Sequence, residues 1–148
     1  EVLLSYVEAE NELNGPSEDV YGKLNQIRNR AGMPIVDRAK YGTQEKLREL
    51  IRRERSVEMA GEGLRRADIL RWKDAEGKML AETLMNGELR CPGGTIDYTE
   101  TNPYKRAVII PDSVQLVESR GFSTHNRYLP IPQKYRDLND KLEQNPGY

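Results

Sequence analysis

Apolar residues in the first third of the chain recur every three or four positions, the spacing of one face of a helix. Leu3, Tyr6, Val7 and Leu13 follow that rhythm from the outset, with no capping residue ahead of them. The run stops at Asn14-Gly15-Pro16, where a φ-permissive residue meets a helix breaker. Ser17 predicts the N-cap of a second helix, in which Val20, Leu24, Ile27 and Ala31 form one stripe. Gly32 and Met33-Pro34 predict its end, because glycine suits the left-handed position after a helix and proline cannot continue it. Residues 1–34 therefore read as a helix hairpin. Each helix keeps an apolar face to be covered, as in a single tetratricopeptide-like unit, although that repeat's full residue pattern is absent.

A third helix is predicted from Thr43, a suitable N-cap, with Glu45 in the first turn where the helix dipole favours it. Leu47, Leu50, Ile51, Val57 and Gly61 share one side, and Glu54 and Glu58 project from the middle of that same side. Inward carboxylates are tolerated only when paired, so basic groups must meet them. The expected partners follow the break at Gly61-Glu62-Gly63: Arg65, Arg66 and Arg71, interleaved with Leu64, Ile69, Leu70 and Trp72. The predicted structural network is Glu54, Glu58, Arg65, Asp68 and Arg71, on a helix expected to continue in some form through Met79, Leu80 and Leu84. Residues 43–86 then form a second helix pair.

Beyond Asn86 the periodicity is lost. Cys91-Pro92-Gly93-Gly94, Asn102-Pro103 and Pro111 punctuate short stretches, and Ala107-Val108-Ile109-Ile110 is the one strand predicted. Tyr128-Leu129-Pro130-Ile131-Pro132-Gln133 is expected to be extended, because two prolines fix φ and restrict their predecessors. A helical turn is expected over Lys134 to Leu138. The fold class is therefore mainly α, with tetratricopeptide-like helix pairs, a loop-rich segment and an extended C-terminal tail over 87–148.

Composition narrows the function. With 23 basic and 24 acidic side chains among 148 residues, the net charge of -1 provides no field to attract nucleic acid. A single cysteine, Cys91, excludes an internal disulfide, and the single histidine, His125, has no partner at metal-ligand spacing, so neither metal nor cofactor is expected. Cys91-Pro92-Gly93-Gly94 is no phosphate loop, since no strand is expected before it and no Gly-Lys-Ser/Thr follows. The opening residues lack a signal-peptide pattern and read as the inside of a helix, which predicts that the sequence begins partway through a larger protein.

Glu54 and Glu58, at i and i+4, could serve as general acid and base, but the surrounding arginines favour ion pairing, and the same holds for Asp68. Trp72 sits at helical spacing from Asp68, Ala75 and Met79, which favours packing over sugar stacking. The loop-rich segment is the better place for a ligand, because binding groups gather on loops held by a rigid scaffold. Tyr98, Asn102, Tyr104 and Arg106 there combine flat rings with hydrogen-bonding groups suited to a sugar face and its hydroxyls.

Three motifs in one order carry a resemblance. Leu24-Asn25-Gln26-Ile27-Arg28-Asn29-Arg30-Ala31-Gly32-Met33-Pro34 is followed by Arg52-Arg53-Glu54-Arg55-Ser56-Val57-Glu58 with Gly61-Glu62-Gly63, Arg65, Asp68 and Arg71-Trp72. Leu129-Pro130-Ile131-Pro132 and Gln144-Asn145-Pro146-Gly147-Tyr148 close the chain. This series resembles the C-terminal portion of the SusD/RagB family, with one departure at Leu64, where the family often has histidine or another polar residue. The resemblance implies a helical, tetratricopeptide-like, non-enzymatic protein at the outer-membrane surface of a Gram-negative bacterium. Such a protein captures oligosaccharides, or sometimes peptides, and delivers them to a TonB-dependent, SusC-like transporter. It also implies a lipid anchor on an N-terminal cysteine upstream of this sequence, so Cys91 is not the anchor. The alternative reading is a helical protein-interaction scaffold with no small-molecule site in this chain.

Overall fold

The computed structural model describes residues 1–90, 93–102, 105–108 and 110–148, with Pro111 described by its backbone alone. The chain divides into two compact units, Glu1–Arg65 and Arg66–Tyr148.

The first unit is helical: α1 (Val2–Asn14), α2 (Glu18–Arg30) and α3 (Gln44–Glu58). Ser17 caps α2 by accepting from the Val20 N–H at 3.2 Å, and Thr43 caps α3 by accepting from the Lys46 N–H at 3.3 Å. Helix α2 ends as its sequence predicts. Gly32 turns left-handed at φ 69°, the Met33 N–H donates to the Arg28 carbonyl at 2.8 Å, and the Gly32 N–H donates to the Asn29 carbonyl at 3.1 Å.

One core joins the three helices: Leu4, Val7, Val20, Tyr21, Leu24, Ile27, Leu47, Leu50 and Ile51, with Val36 from the connection between α2 and α3. That connection is pinned to α2, since Asn25 Oδ1 accepts from the Val36 N–H at 2.8 Å and the Tyr21 hydroxyl donates to the Tyr41 carbonyl at 2.8 Å. The α1 stripe differs from the predicted one. Leu4, Val7 and Asn11 are its buried positions, whereas Tyr6 and Leu13 are exposed. Asn11 is buried because it links α1 to the start of α3: its Nδ2 donates to the Gln44 carbonyl at 3.1 Å, and Gln44 Nε2 donates to the Asn11 carbonyl at 2.6 Å. Ala31, past the end of α2, is exposed. Val57 is exposed on α3 as well, where the fully buried stripe is Leu47, Leu50, Ile51 and Arg55.

Helix α4 (Arg65–Arg71) starts at the last residue of the first unit and otherwise belongs to the second, which also holds α5 (Leu80–Leu84). The predicted continuous helix is interrupted, because the Asp74 to Gly77 turn, with Gly77 at φ 80°, reverses the chain. Trp72 accepts from the Leu80 N–H at 2.9 Å and Lys73 bridges Met79, so an antiparallel loop stands between two short helices. The segment from Lys73 to Lys78 offers a helix no large apolar residue to bury. The core of this unit is small: Ile69, Met79 and Ala81, with Leu70, Leu80 and Phe122 packed against it.

Four strands follow among the described residues, where one was predicted. β1 (Gly87–Arg90) pairs antiparallel with β4 (Gln115–Ser119), with Gly87 opposite Ser119 and a bulge after Glu88. β2 (Thr95–Ile96) pairs with β3 (Ala107–Val108). The predicted strand over Ala107 to Ile110 is realised at Ala107–Val108, and Ile109 lies outside the described residues. A last helical turn, α6, covers Gln133–Arg136, one residue earlier at its start than predicted.

Candidate functional site

Ten residues connect β2 to β3, and the Asp97 N–H donates to the Arg106 carbonyl at 2.8 Å across their two ends. Its first half is shaped by local side chains. Asp97 Oδ1 accepts from the Thr99 hydroxyl at 2.6 Å and the Thr99 N–H at 2.9 Å, and these bonds hold the Asp97 carboxyl below its ordinary value. Glu100 Oε1 accepts from the Asn102 N–H at 2.8 Å, and Arg106 Nε donates to the Glu100 carbonyl at 2.8 Å. The hairpin thus brings Tyr98, Asn102 and Arg106 onto one connection. Tyr98 is 78% exposed, Asn102 is exposed and Arg106 is half-buried. Tyr104 lies outside the described residues.

The carboxylates of α3 have partners other than those predicted. Glu54 pairs with Arg28 and Glu58 with Arg30, both from the last turn of α2 rather than from the segment after Gly61-Glu62-Gly63. The carboxylates do face inward, with side chains 13% and 16% exposed. The preceding helix supplies the partners because its Leu24 and Ile27 enter the same core as Leu47, Leu50 and Ile51 of α3. Arg65 donates instead to Ser56 Oγ. Asp68, 3% exposed, takes Arg71 through bonds of 2.9 and 3.1 Å.

Sequence reasoning missed Arg28, Arg30 and Arg55. Arg55 is the one buried cation of the α3 stripe, donating to Ser5 Oγ at 3.2 Å. A signal existed for the first two, since basic residues in the last turn of a helix complement its dipole. Arg48 and Glu12 add a further link between α3 and α1 through bonds of 2.5 and 2.7 Å, and Arg48 holds the Glu12 carboxyl below its ordinary value. An open pocket of about 570 Å³ at the start of α1 is lined by Leu3, Ile27, Met59 and Glu62 beside the Arg30–Glu58 pair. Trp72 is buried at 3% exposure, with the Arg71 guanidinium 5.1 Å above its ring. His125 lies edge-on to Tyr148 at 5.1 Å.

Amphipathic helices locked by inter-helix ion pairs, with short hairpins in the second unit, define a mainly helical protein of the tetratricopeptide-like class. The chain belongs to the SusD family, whose profile it matches over residues 1–148. It is 41% identical over 73 residues to a SusD-like protein of Formosa agariphila, covering 49% of this chain and 14% of that protein. Its fold matches a SusD-like protein of Bacteroides fragilis at TM-score 0.68 and 26% identity, over 99% of this chain and 24% of the other. A SusD homologue of Bacteroides thetaiotaomicron gives TM-score 0.64 and 26% identity, over 99% of this chain and 25% of the other. The chain thus spans about a quarter of the length of these solved relatives.

Proposed function

We propose that this chain is part of a surface protein that captures glycan or peptide nutrients and passes them, without catalysis, to a TonB-dependent, SusC-like outer-membrane transporter. The observation that carries the reading is the SusD-family match along residues 1–148. The protein acts at the cell surface, and its lipid anchor is assigned to a segment upstream of Glu1. Glycan contact is assigned to the β2–β3 connection. The exposed Tyr98 ring offers an apolar face for a pyranose, and Asn102 and Arg106 offer hydrogen bonds to its hydroxyls, with Tyr104 beside them in sequence. The pairing of Glu54 and Glu58 with arginines supports a scaffold role for these carboxylates rather than hydrolysis.

Isothermal titration of the longer protein against oligosaccharides and peptides, with pull-down of the transporter, tests the reading. Tyr98→Ala is expected to weaken glycan binding about tenfold, from a stacking contribution of about 1–1.5 kcal/mol, without lowering Tm. Absence of binding to every oligosaccharide and peptide, together with no co-purifying transporter, would overturn it. Transporter capture alone would favour the helical interaction scaffold.

A further inference from the structure

Glycine after asparagine exposes the asparagine to attack, because a nitrogen unshielded by a side chain can reach the asparagine Cγ. The chain has two such pairs, Asn14-Gly15 and Asn86-Gly87, and the fold treats them differently. Asn14 is the last residue of α1. The Gly15 N–H is committed to the Asn11 carbonyl at 3.0 Å, and Asn14 Nδ2 donates to Glu10 Oε1 at 2.7 Å. The attacking nitrogen is therefore engaged in the helix end.

Asn86 lies two residues past the end of α5, outside any helix. Its Oδ1 accepts from the Phe122 N–H at 3.2 Å, its Nδ2 donates to the Glu82 carbonyl, and its own carbonyl accepts from the Arg120 N–H at 2.7 Å. The Phe122 N–H points at the oxygen on which negative charge collects when Cγ is attacked, the role of an oxyanion-hole donor. Glycine also suits position 87. A Cβ there would lie 2.4 Å from Leu116 Cδ1 and 3.0 Å from the Glu118 carbonyl oxygen, so a larger residue, which would slow the reaction, would have to push the Leu116 side chain aside.

We propose that Asn86 is a site of spontaneous deamidation in the folded protein, favoured over Asn14. The Gly87 nitrogen gives its proton to solvent and bonds to Asn86 Cγ. The Cγ–Nδ2 bond then breaks and ammonia leaves with a proton from water. A second water opens the resulting succinimide to aspartate or isoaspartate. The product carboxylate has no N–H for the Glu82 carbonyl, so the end of α5 loses that bond. Isoaspartate also adds a methylene to the main chain one residue before β1, where pairing with β4 begins at Gly87 opposite Ser119.

The test incubates the 148-residue chain in mildly alkaline buffer. Peptide mapping by mass spectrometry follows amide-to-acid conversion at each site, and isoaspartate methylation serves as a second readout. In the folded chain Asn86 is expected to convert at least about fivefold faster than Asn14, the factor for one backbone hydrogen bond that must open first at Gly15. In urea the two rates should converge, and Asn86→Gln should abolish conversion in its peptide. Equal rates in the folded chain, or the same ratio folded and unfolded, would overturn the assignment.

Discussion

The Arg28–Glu54 pair fixes how α2 meets α3. Its side chains are 12% and 13% exposed, and Arg28 Nε also donates to the Pro34 carbonyl at 2.6 Å, so the guanidinium is held whether or not Glu54 is present. Glu54→Ala would leave the other edge of that guanidinium facing α3 without a carboxylate. A charge-assisted hydrogen bond contributes about 1.5–3 kcal/mol, and breaking a fully buried pair costs about 3–5 kcal/mol. Because water reaches this pair, we expect about 2 kcal/mol. Urea unfolding followed by ellipticity should show the loss as a lower midpoint at unchanged m-value. A double-mutant cycle with Arg28→Ala should return a coupling of about 1–2 kcal/mol. The same cycle with Arg65→Ala should be additive within about 0.5 kcal/mol, since Arg65 is bonded to Ser56. Coupling to Arg65 with none to Arg28 would refute the assignment and restore the partner expected from sequence.

Trp72 is the sole tryptophan and is 3% exposed, so its native emission should resist acrylamide quenching; Trp72→Ala should cost about 3–5 kcal/mol in urea unfolding. The lowered Glu12 carboxyl contributes stability that is present above its unfolded value and lost as pH falls through its folded value. Urea midpoints should therefore fall between about pH 5 and pH 3. Arg48→Met should remove part of that slope, by less than about 1 kcal/mol because Glu12 is 42% exposed. Gln144→Ala removes two bonds to the Ile131 backbone, about 1–2 kcal/mol locally, and should speed amide exchange at Ile131. Unchanged exchange there would show that the tail is held in another way.

The first unit was legible where short-range chemistry decides. Ser17 and Thr43 act through their own backbone neighbourhood, and Gly32 needs only its own φ. The helix periods of α2 and α3 likewise placed Leu24, Ile27, Leu47, Leu50 and Ile51 inside. Partner choice was not legible. The 100° wheel turned Glu54 and Glu58 inward correctly, but which arginine stands opposite depends on how α2 lies against α3, a long-range fact. Strands β1 and β4 were missed for a different reason. β4 is exposed along its whole length and β1 is at most half-buried, so no apolar alternation betrays them. The candidate loop was legible as composition through Tyr98, Asn102 and Arg106, whereas its closure by Asp97 and Arg106 needed the β2–β3 pairing.

The second unit holds its tail with little apolar help, because among the described residues its core cluster is Ile69, Met79 and Ala81 with three partly buried neighbours, beside the buried Trp72. Pro130 and Pro132 remove two backbone donors from the extended stretch, so no ordinary strand can pair along it. The amide side chains of the closing motif supply the missing ladder. Gln144 takes both the N–H and the carbonyl of Ile131, at 2.8 and 3.1 Å, the one residue between the prolines with a donor to give. Asn145 Nδ2 donates to the Leu129 carbonyl at 2.7 Å, and the Tyr148 hydroxyl to the Tyr128 carbonyl at 2.9 Å. Alternate prolines and the Gln-Asn-Pro-Gly-Tyr ending are therefore two halves of one device. Substituting either exposed proline should leave these bonds in place, because a new N–H there meets water, whereas substituting Gln144 should free the extended stretch from the closing motif.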